Sequence, residues 1–172
     1  MAQVYVSLGS NIEPQLHVCA CLQALSENFQ GLRCSTIYHT AAVGFKGEPF
    51  LNAVVSFNTE LTSVELKAWL RQLEEQQGRE RGAQKFSART LDLDLLLYND
   101  TVEPAHKLPH PDILTYSFVL QPLAELAPTQ NHPVLGKTFS ALAAKQLELT
   151  EALEPIRLDC VVQWQINEQS AL

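Results

Sequence analysis

The stretch QVYVSL, residues 3 to 8, alternates apolar and polar positions in the period of a half-buried strand, and Gly9-Ser10-Asn11 closes it. A helix is predicted next, with Pro14 in its first turn and Val18, Cys21, Leu22 and Leu25 forming a stripe at i, i+3, i+4 and i+7. Residues 32–40 and 49–60 read as two neighbouring strands joined by the Gly-containing loop AAVGFKGE. The following helix is the best punctuated in the chain. Thr62 and Glu65 form a capping box, Leu61 and Leu66 occupy staple positions, and Leu66, Trp69, Leu70 and Leu73 make the buried stripe until Gly78 stops it.

The stretch ARTLDLDLLLY, residues 88–98, reads as a buried strand that sets Leu91, Leu93, Leu95 and Leu97 on one face and Asp92 and Asp94 on the other. A Pro-rich connection, VEPAHKLPHPD, leads to a helix through FVLQPLAELAP. In the tail, Ile156, Leu158, Cys160, Val162, Trp164 and Ile166 alternate with mostly polar neighbours, which predicts one more strand. The order βαββαβ implies an α+β fold, a ferredoxin-like split βαβ sheet with helices packed on one face. Residues 1–172 are expected to form a single domain, in which 150–172 are a C-terminal extension carrying the extra strand.

Composition narrows the field. The 172 residues are 46% hydrophobic, enough for a proper core, and no apolar stretch approaches the roughly 18–20 residues that span a bilayer. The start, MAQVYVSLGS, lacks the charged and apolar regions of a signal peptide, so a cytoplasmic location is expected. There, Cys19, Cys21, Cys34 and Cys160, which show no CxxC or metal-ligand spacing, are expected to be core filler rather than disulfides. A net charge of −7 argues against a general nucleic-acid surface.

Two features call for chemistry. Asp92 and Asp94 share a strand face with Cα atoms roughly 6.6–7 Å apart, where two partly buried carboxylates repel unless a cation or donors compensate. The bland alternative is a solvated strand face. Just upstream, Arg79, Arg81, Lys85 and Arg89 concentrate four of the twelve basic residues in one segment interrupted by one acid, Glu80. Acids at i and i+2 suit Mg²⁺, which takes oxygen ligands and is commonly completed by substrate phosphates, and two such ions about 3.5–4 Å apart are within their span. Arginine forks suit the phosphates. Phosphoryl-type transfer is the chemistry these parts support, although no Walker loop is present.

The chain resembles the 6-hydroxymethyl-7,8-dihydropterin pyrophosphokinases of the folate pathway. The matching pieces, in family order, are GSN at 9–11, FLNAV at 50–54, EEQQGRERG at 74–82, RTLDLDLLLY at 89–98, LPHPD at 108–112 and FVLQPL at 118–123. The resemblance implies transfer of the β,γ-pyrophosphate of ATP to a pterin hydroxymethyl group, with release of AMP. It implies that Asp92 and Asp94 hold two Mg²⁺ ions, that Arg81 and Arg89 contact phosphate, and that Arg79 and Lys85 lie on a closing lid. It also implies that Phe50 and Phe118 sandwich the pterin, that Asn52, Thr40 and Val43 read its edge, and that His110 and Glu74 lie near the nucleotide. Trp69 and Trp164 are left to the core. ATP and a reduced hydroxymethylpterin are the expected partners, with no nucleic acid or membrane, for a monomer or homodimer.

The chain departs from the family pattern at four places. Tyr116 stands two residues before Phe118 where an arginine is usual, Lys85-Phe86 replaces Arg-Trp in the lid, and Ala42 replaces a proline. A lost phosphate-binding guanidinium costs on the order of 1.5–3 kcal/mol if nothing replaces it. These departures keep a second reading in view, a pterin-binding paralogue with weak, absent or altered kinase activity. Tyr116 is placed with the nucleotide in either case. An RNA-binding domain of the RRM type is a further alternative, disfavoured by the net charge and the lack of an RNP1-like aromatic string.

Overall fold

The computed structural model describes residues 1–78 and 88–165, so Arg79, Arg81, Lys85 and Phe86 lie outside the described residues, as does Ile166. Strands β1 (Ala2–Ser10), β2 (Gln30–Cys34), β3 (Ile37–Thr40), β4 (Phe50–Thr59), β5 (Asp92–Tyr98) and β6 (Glu154–Ile156) form one antiparallel sheet in the order β5-β1-β4-β3-β6. β2 pairs with β4 as well. The expected strand over 32–40 is therefore two short ones, broken at Ser35-Thr36. Ser35 keeps the break joined to β4, since its Oγ accepts from Val54 N–H at 3.0 Å, and Thr36 N–H donates to Glu125 Oε2 at 2.8 Å.

Helices α1 (Pro14–Asn28) and α2 (Ser63–Gln76) cover one face. Their predicted stripes, Val18, Cys21, Leu22 and Leu25 on α1 and Leu66, Leu70 and Leu73 on α2, are buried against Val4, Val6, Leu8, Val55 and Phe57. Trp69 is half-buried edge-on to Phe29, with ring centroids 4.8 Å apart. Thr62 caps α2 by accepting from Glu65 N–H at 3.3 Å while Glu65 Oε2 accepts from Thr62 N–H at 2.8 Å, and Gly78, at φ +90°, takes the chain out of the helix. That conformation suits glycine because it has no Cβ.

The expectation of helices on a single face is not met. After the short α3 (Asp112–Thr115), helices α4 (Ser117–Leu126) and α5 (Phe139–Leu147) pack on the opposite face, around Tyr5, Val54, Leu96, Leu97 and Phe139. The cause lies in β4, where consecutive Val54 and Val55 are both fully buried and point to opposite sides, so each face of the sheet needs a cover. A register shift places a β-bulge in β5, with Tyr5 opposite Leu97 and Val6 opposite Leu95. Leu91, Leu93 and Leu95 face α1 and α2 as expected, whereas the extra residue sends Leu97 into the second core.

The tail also differs from its expected strand over 156–166. Glu154–Ile156 pairs along the β3 edge, Asp159–Trp164 form a 3₁₀ helix, and Gln165 makes an isolated parallel bridge to Cys34. Its buried face follows a period of three, Leu158, Val161 and Trp164, while Val162, expected inside, is exposed. Cys160 in this turn forms a disulfide with Cys19 of α1, their Cα atoms 5.9 Å apart. The expectation of four thiols is thus corrected for that pair. Cys21 and Cys34 are free and buried as core filler.

Candidate active site

Gly9, near the end of β1, sits opposite Asn52 of β4 on one side and Asp92 of β5 on the other. A Cβ there would lie 3.0 Å from Asn52 Oδ1 and 3.7 Å from Phe50, so any larger residue would crowd the space between them. That space opens into a cleft of about 390 Å³ lined on one side by Thr40, Val43, Phe45, Phe50 and Asn52, and on the other by Arg89, Asp92, Asp94, Lys107, His110 and Asp112. Tyr116 and Phe118 complete the wall.

The Asn52 side is built from satisfied groups. Asn52 is 9% exposed, and its Nδ2 donates to Thr40 Oγ1 at 2.6 Å, a bond between paired strands. Phe50 meets Phe45 edge-on at 6.2 Å, and Phe118 stacks on Tyr116 with centroids 5.0 Å apart and planes 18° from parallel. Tyr116 is extended, at φ −117° and ψ 128°, immediately before α4, which directs both rings of that pair toward the cleft.

The opposite side is acidic. Arg89 Nη1 donates to Asp92 Oδ1 at 2.5 Å, and Arg89 N–H is itself held by Asn11 Oδ1 at 2.7 Å. His110 lies between two acids, its Nε2 3.9 Å from Asp94 Oδ1 and its Nδ1 3.8 Å from Asp112 Oδ2. Asp112 N–H donates to His110 Nδ1 at 3.3 Å, which leaves Nε2 as the proton-bearing nitrogen of a neutral ring, facing Asp94. Burial, and then the neighbouring Asp92, push the Asp94 carboxyl above the usual carboxylate range, with His110 opposing. Ligand atoms of Asp94, His110 and Asp112 come within 4.8 Å of one another, close enough to share a cation.

A family description, 7,8-dihydro-6-hydroxymethylpterin-pyrophosphokinase (HPPK), matches residues 5–128, which include every described cleft residue. The chain belongs to the HPPK family. A 2-amino-4-hydroxy-6-hydroxymethyldihydropteridine pyrophosphokinase of Pseudomonas aeruginosa is 36% identical over 157 residues, 88% of this chain and 96% of its own length. One of Aquifex aeolicus is 34% identical over 141 residues, 80% of this chain and 88% of its own. Among solved structures, wild-type Plasmodium falciparum HPPK-DHPS superposes with a TM-score of 0.67 at 12% identity, over 86% of this chain. This chain spans 45% of that longer one, and the likeness shows the shared HPPK fold.

Against the residues expected of an HPPK, the structure gathers Thr40, Val43, Phe50, Asn52, Arg89, Asp92, Asp94, His110, Tyr116 and Phe118 in one cleft. Glu74 stands elsewhere. It is 5% exposed on α2, and its Oε1 accepts from Leu93 N–H at 2.7 Å, so it holds the backbone of β5 between the two aspartates. Asp112, Lys107 and Phe45 were not singled out from the sequence. Asp112 could have been, because LPHPD puts an acid two residues after the histidine. Lys107 and Phe45 carry no local signal, since a lone lysine or phenylalanine in a loop has many ordinary roles.

Proposed function

We propose that this chain moves the β,γ-pyrophosphate of ATP onto the hydroxymethyl oxygen of 6-hydroxymethyl-7,8-dihydropterin through the Gly9-centred cleft, with Asp92 and Asp94 as the cation-binding pair. Membership of the HPPK family supports the reaction. The observation that carries the residue assignment is the register itself, which sets Asn52 and Asp92 on either side of Gly9 and so brings a ring-reading amide beside an acidic cation site.

The pterin ring lies between Phe50 and Phe118, where stacking favours a flat heterocycle, and Asn52 offers donor and acceptor to its amide-like edge, with Thr40 and Val43 beside it. Its hydroxymethyl group then points toward Asp92 and Asp94. These carboxylates would hold Mg²⁺, two ions in the full reading, which would supply positive charge against the triphosphate. Asp94 is suited to this because burial, and then the neighbouring Asp92, disfavour its charged form, a cost that a bound cation would relieve. Arg89 bridges Asp92 and the phosphates. His110, with Nε2–H on the Asp94 side of the cleft, donates to a phosphate oxygen seated there, and a hard cation prefers the flanking carboxylates to the imidazole. Arg79, Arg81 and Lys85 supply further positive charge from the basic segment, and Glu74 acts through β5 rather than by touching nucleotide.

The hydroxymethyl oxygen gives up its proton to solvent and forms its bond to Pβ as the bond from Pβ to the α-phosphate oxygen breaks, and AMP leaves. Phosphorus NMR of ATP, Mg²⁺ and the pterin with the purified chain is expected to show AMP and a pterin diphosphate appearing together. AMP formed equally without the pterin, or inorganic phosphate in its place, would contradict this reading.

A further inference from the structure

The phosphate side of the cleft presents three carboxylates, Asp92, Asp94 and Asp112, to a polyanionic substrate. Two cations line it among the described residues, Arg89 and Lys107. Arg89 shares its charge with Asp92, whereas among the described residues no carboxylate lies within ion-pair distance of Lys107. Tyr116, where an arginine would bring charge, is engaged in its stack on Phe118 and brings none. A triphosphate seated against Asp94 thus meets a lysine that no described carboxylate neutralises.

The backbone under Lys107 is organised to hold that lysine in place. Glu103 and Leu108 exchange backbone hydrogen bonds, Glu103 N–H to Leu108 O at 2.8 Å and Leu108 N–H to Glu103 O at 3.1 Å, which closes a tight turn over Pro104–His106. Within it Lys107 adopts the left-handed conformation at φ 51°, and its N–H donates to Pro104 O at 3.0 Å. The Lys67 ammonium of α2 donates to His106 O and pins the turn to the helix. Leu108, at 1% exposure, anchors it to the core next to His110. A non-glycine residue in this conformation is uncommon and costs free energy, which the ladder and the Lys67 contact offset. Burial lowers the proton affinity of Lys67, with Asp94 opposing and Lys107 adding to the effect, so the two ammoniums and the acid share one field.

We propose that Lys107 is a substrate-binding residue for the triphosphate of ATP, supplying from the 103–108 turn the positive charge that Tyr116 does not. This rests on the pyrophosphokinase reading and names a further residue within it. A lysine is a compact point charge on a flexible stem, so it reaches a phosphate oxygen without the bidentate geometry of an arginine. It stands on the same wall as Asp94, His110 and Asp112, which places its contact on the polyphosphate rather than on the pterin ring.

The test is calorimetric binding of Mg·ATP and of AMP to the full chain, with Lys107→Gln and Lys107→Arg. Loss of one charged contact predicts that Lys107→Gln weakens Mg·ATP binding about tenfold and AMP binding less than about twofold, with Lys107→Arg restoring most of the loss. In steady state the pterin KM is expected to stay unchanged. Equal Mg·ATP affinity in wild type and Lys107→Gln, or an equal loss for ATP and AMP, overturns the assignment. Wild-type AMP formation with the pterin reports separately on the pyrophosphokinase reading, since the binding comparison decides the role of Lys107 with or without turnover.

Discussion

On the Asn52 side of Gly9 the cleft is finished by bonds the chain makes to itself, whereas on the Asp92 side it gathers charge that the described residues balance only in part. Asn52 is tied to Thr40, and the aromatic rings pack on one another. Across the floor, Asp94 is held above its ordinary range by burial and by Asp92, while Asp112 adds a third acid within reach. The difference teaches what each half is for. A preformed, satisfied wall recognises a rigid, uncharged ring by shape and hydrogen bonds. An acidic wall in which burial and a neighbouring acid raise the proton affinity of Asp94 stores electrostatic cost that a cation and its phosphates would relieve on binding.

Neutralising the acidic half is the harshest way to break this contrast. Asp92→Asn and Asp94→Asn are each expected to lower AMP production by roughly a hundred- to a thousandfold while leaving pterin binding intact, because a cation's ligand is lost but the Asn52 wall is not. A coupled assay for AMP, run beside pterin fluorescence titration, separates the two. Wild-type turnover in either variant would mean that the pair is a solvated strand face after all.

Glu74 supports the acidic half from behind. Glu74→Ala removes the acceptor of Leu93 N–H inside the core, a loss of about 1–3 kcal/mol from an orphaned buried donor, and lets β5 shift between its two aspartates. Urea denaturation is expected to show that loss, with Mg·ATP affinity falling at the same time. A stability change without any change in Mg·ATP affinity would confine Glu74 to the core.

The satisfied half answers to a milder change. Asn52→Leu keeps the number and branching of side-chain heavy atoms but removes both the donor and the acceptor, so the pterin KM is expected to rise about tenfold, with ATP binding unaltered. A variant with higher ATP KM and normal pterin KM would reverse the assignment of the two halves. The smallest effect is expected at Tyr116. Tyr116→Arg adds charge to the phosphate side at the expense of the stack on Phe118, so turnover is expected to rise only about two- to threefold where Lys107 already serves. A tenfold rise would show that Lys107 does not replace the arginine.

Sequence reasoning reached the parts of the molecule in which side-chain period and chemistry agree. The stripes of α1 and α2, the capping box at Thr62, and Asp92 and Asp94 on a core strand were all visible, because each rests on neighbours in the chain. The parts it misjudged depend on pairing across space. Leu95, Leu96 and Leu97 are identical, so nothing in them marks where the bulge passes a residue to the other face. The tail's alternation counted Val162 as buried and Val161 as exposed, while a 3₁₀ turn of period three reverses them. Cys19 and Cys160 are 141 residues apart and become partners only when the tail crosses α1. At the site, Asp112 enters because a two-residue offset from His110 brings it close to Asp94, and Lys107 because the 103–108 turn carries it to the same cleft, a placement that composition does not encode.

Thermal melting of wild type and Asp94→Asn, each with and without Mg²⁺ and a non-hydrolysable ATP analogue, tests the stored charge most directly. A carboxyl whose proton affinity is raised by folding contributes stability below its unfolded pKa and loses it as pH rises through the folded value, so at neutral pH the Asp94 charge weakens the ligand-free protein. Asn resembles the protonated form. Ligand-free Asp94→Asn is therefore expected to melt above ligand-free wild type at neutral pH, with the gap closing toward acid. With ligand at about 100 times Kd, wild type is expected to gain roughly 5–10 °C and the variant almost nothing. Equal gains in both proteins, or a variant that melts lower without ligand, would contradict the account.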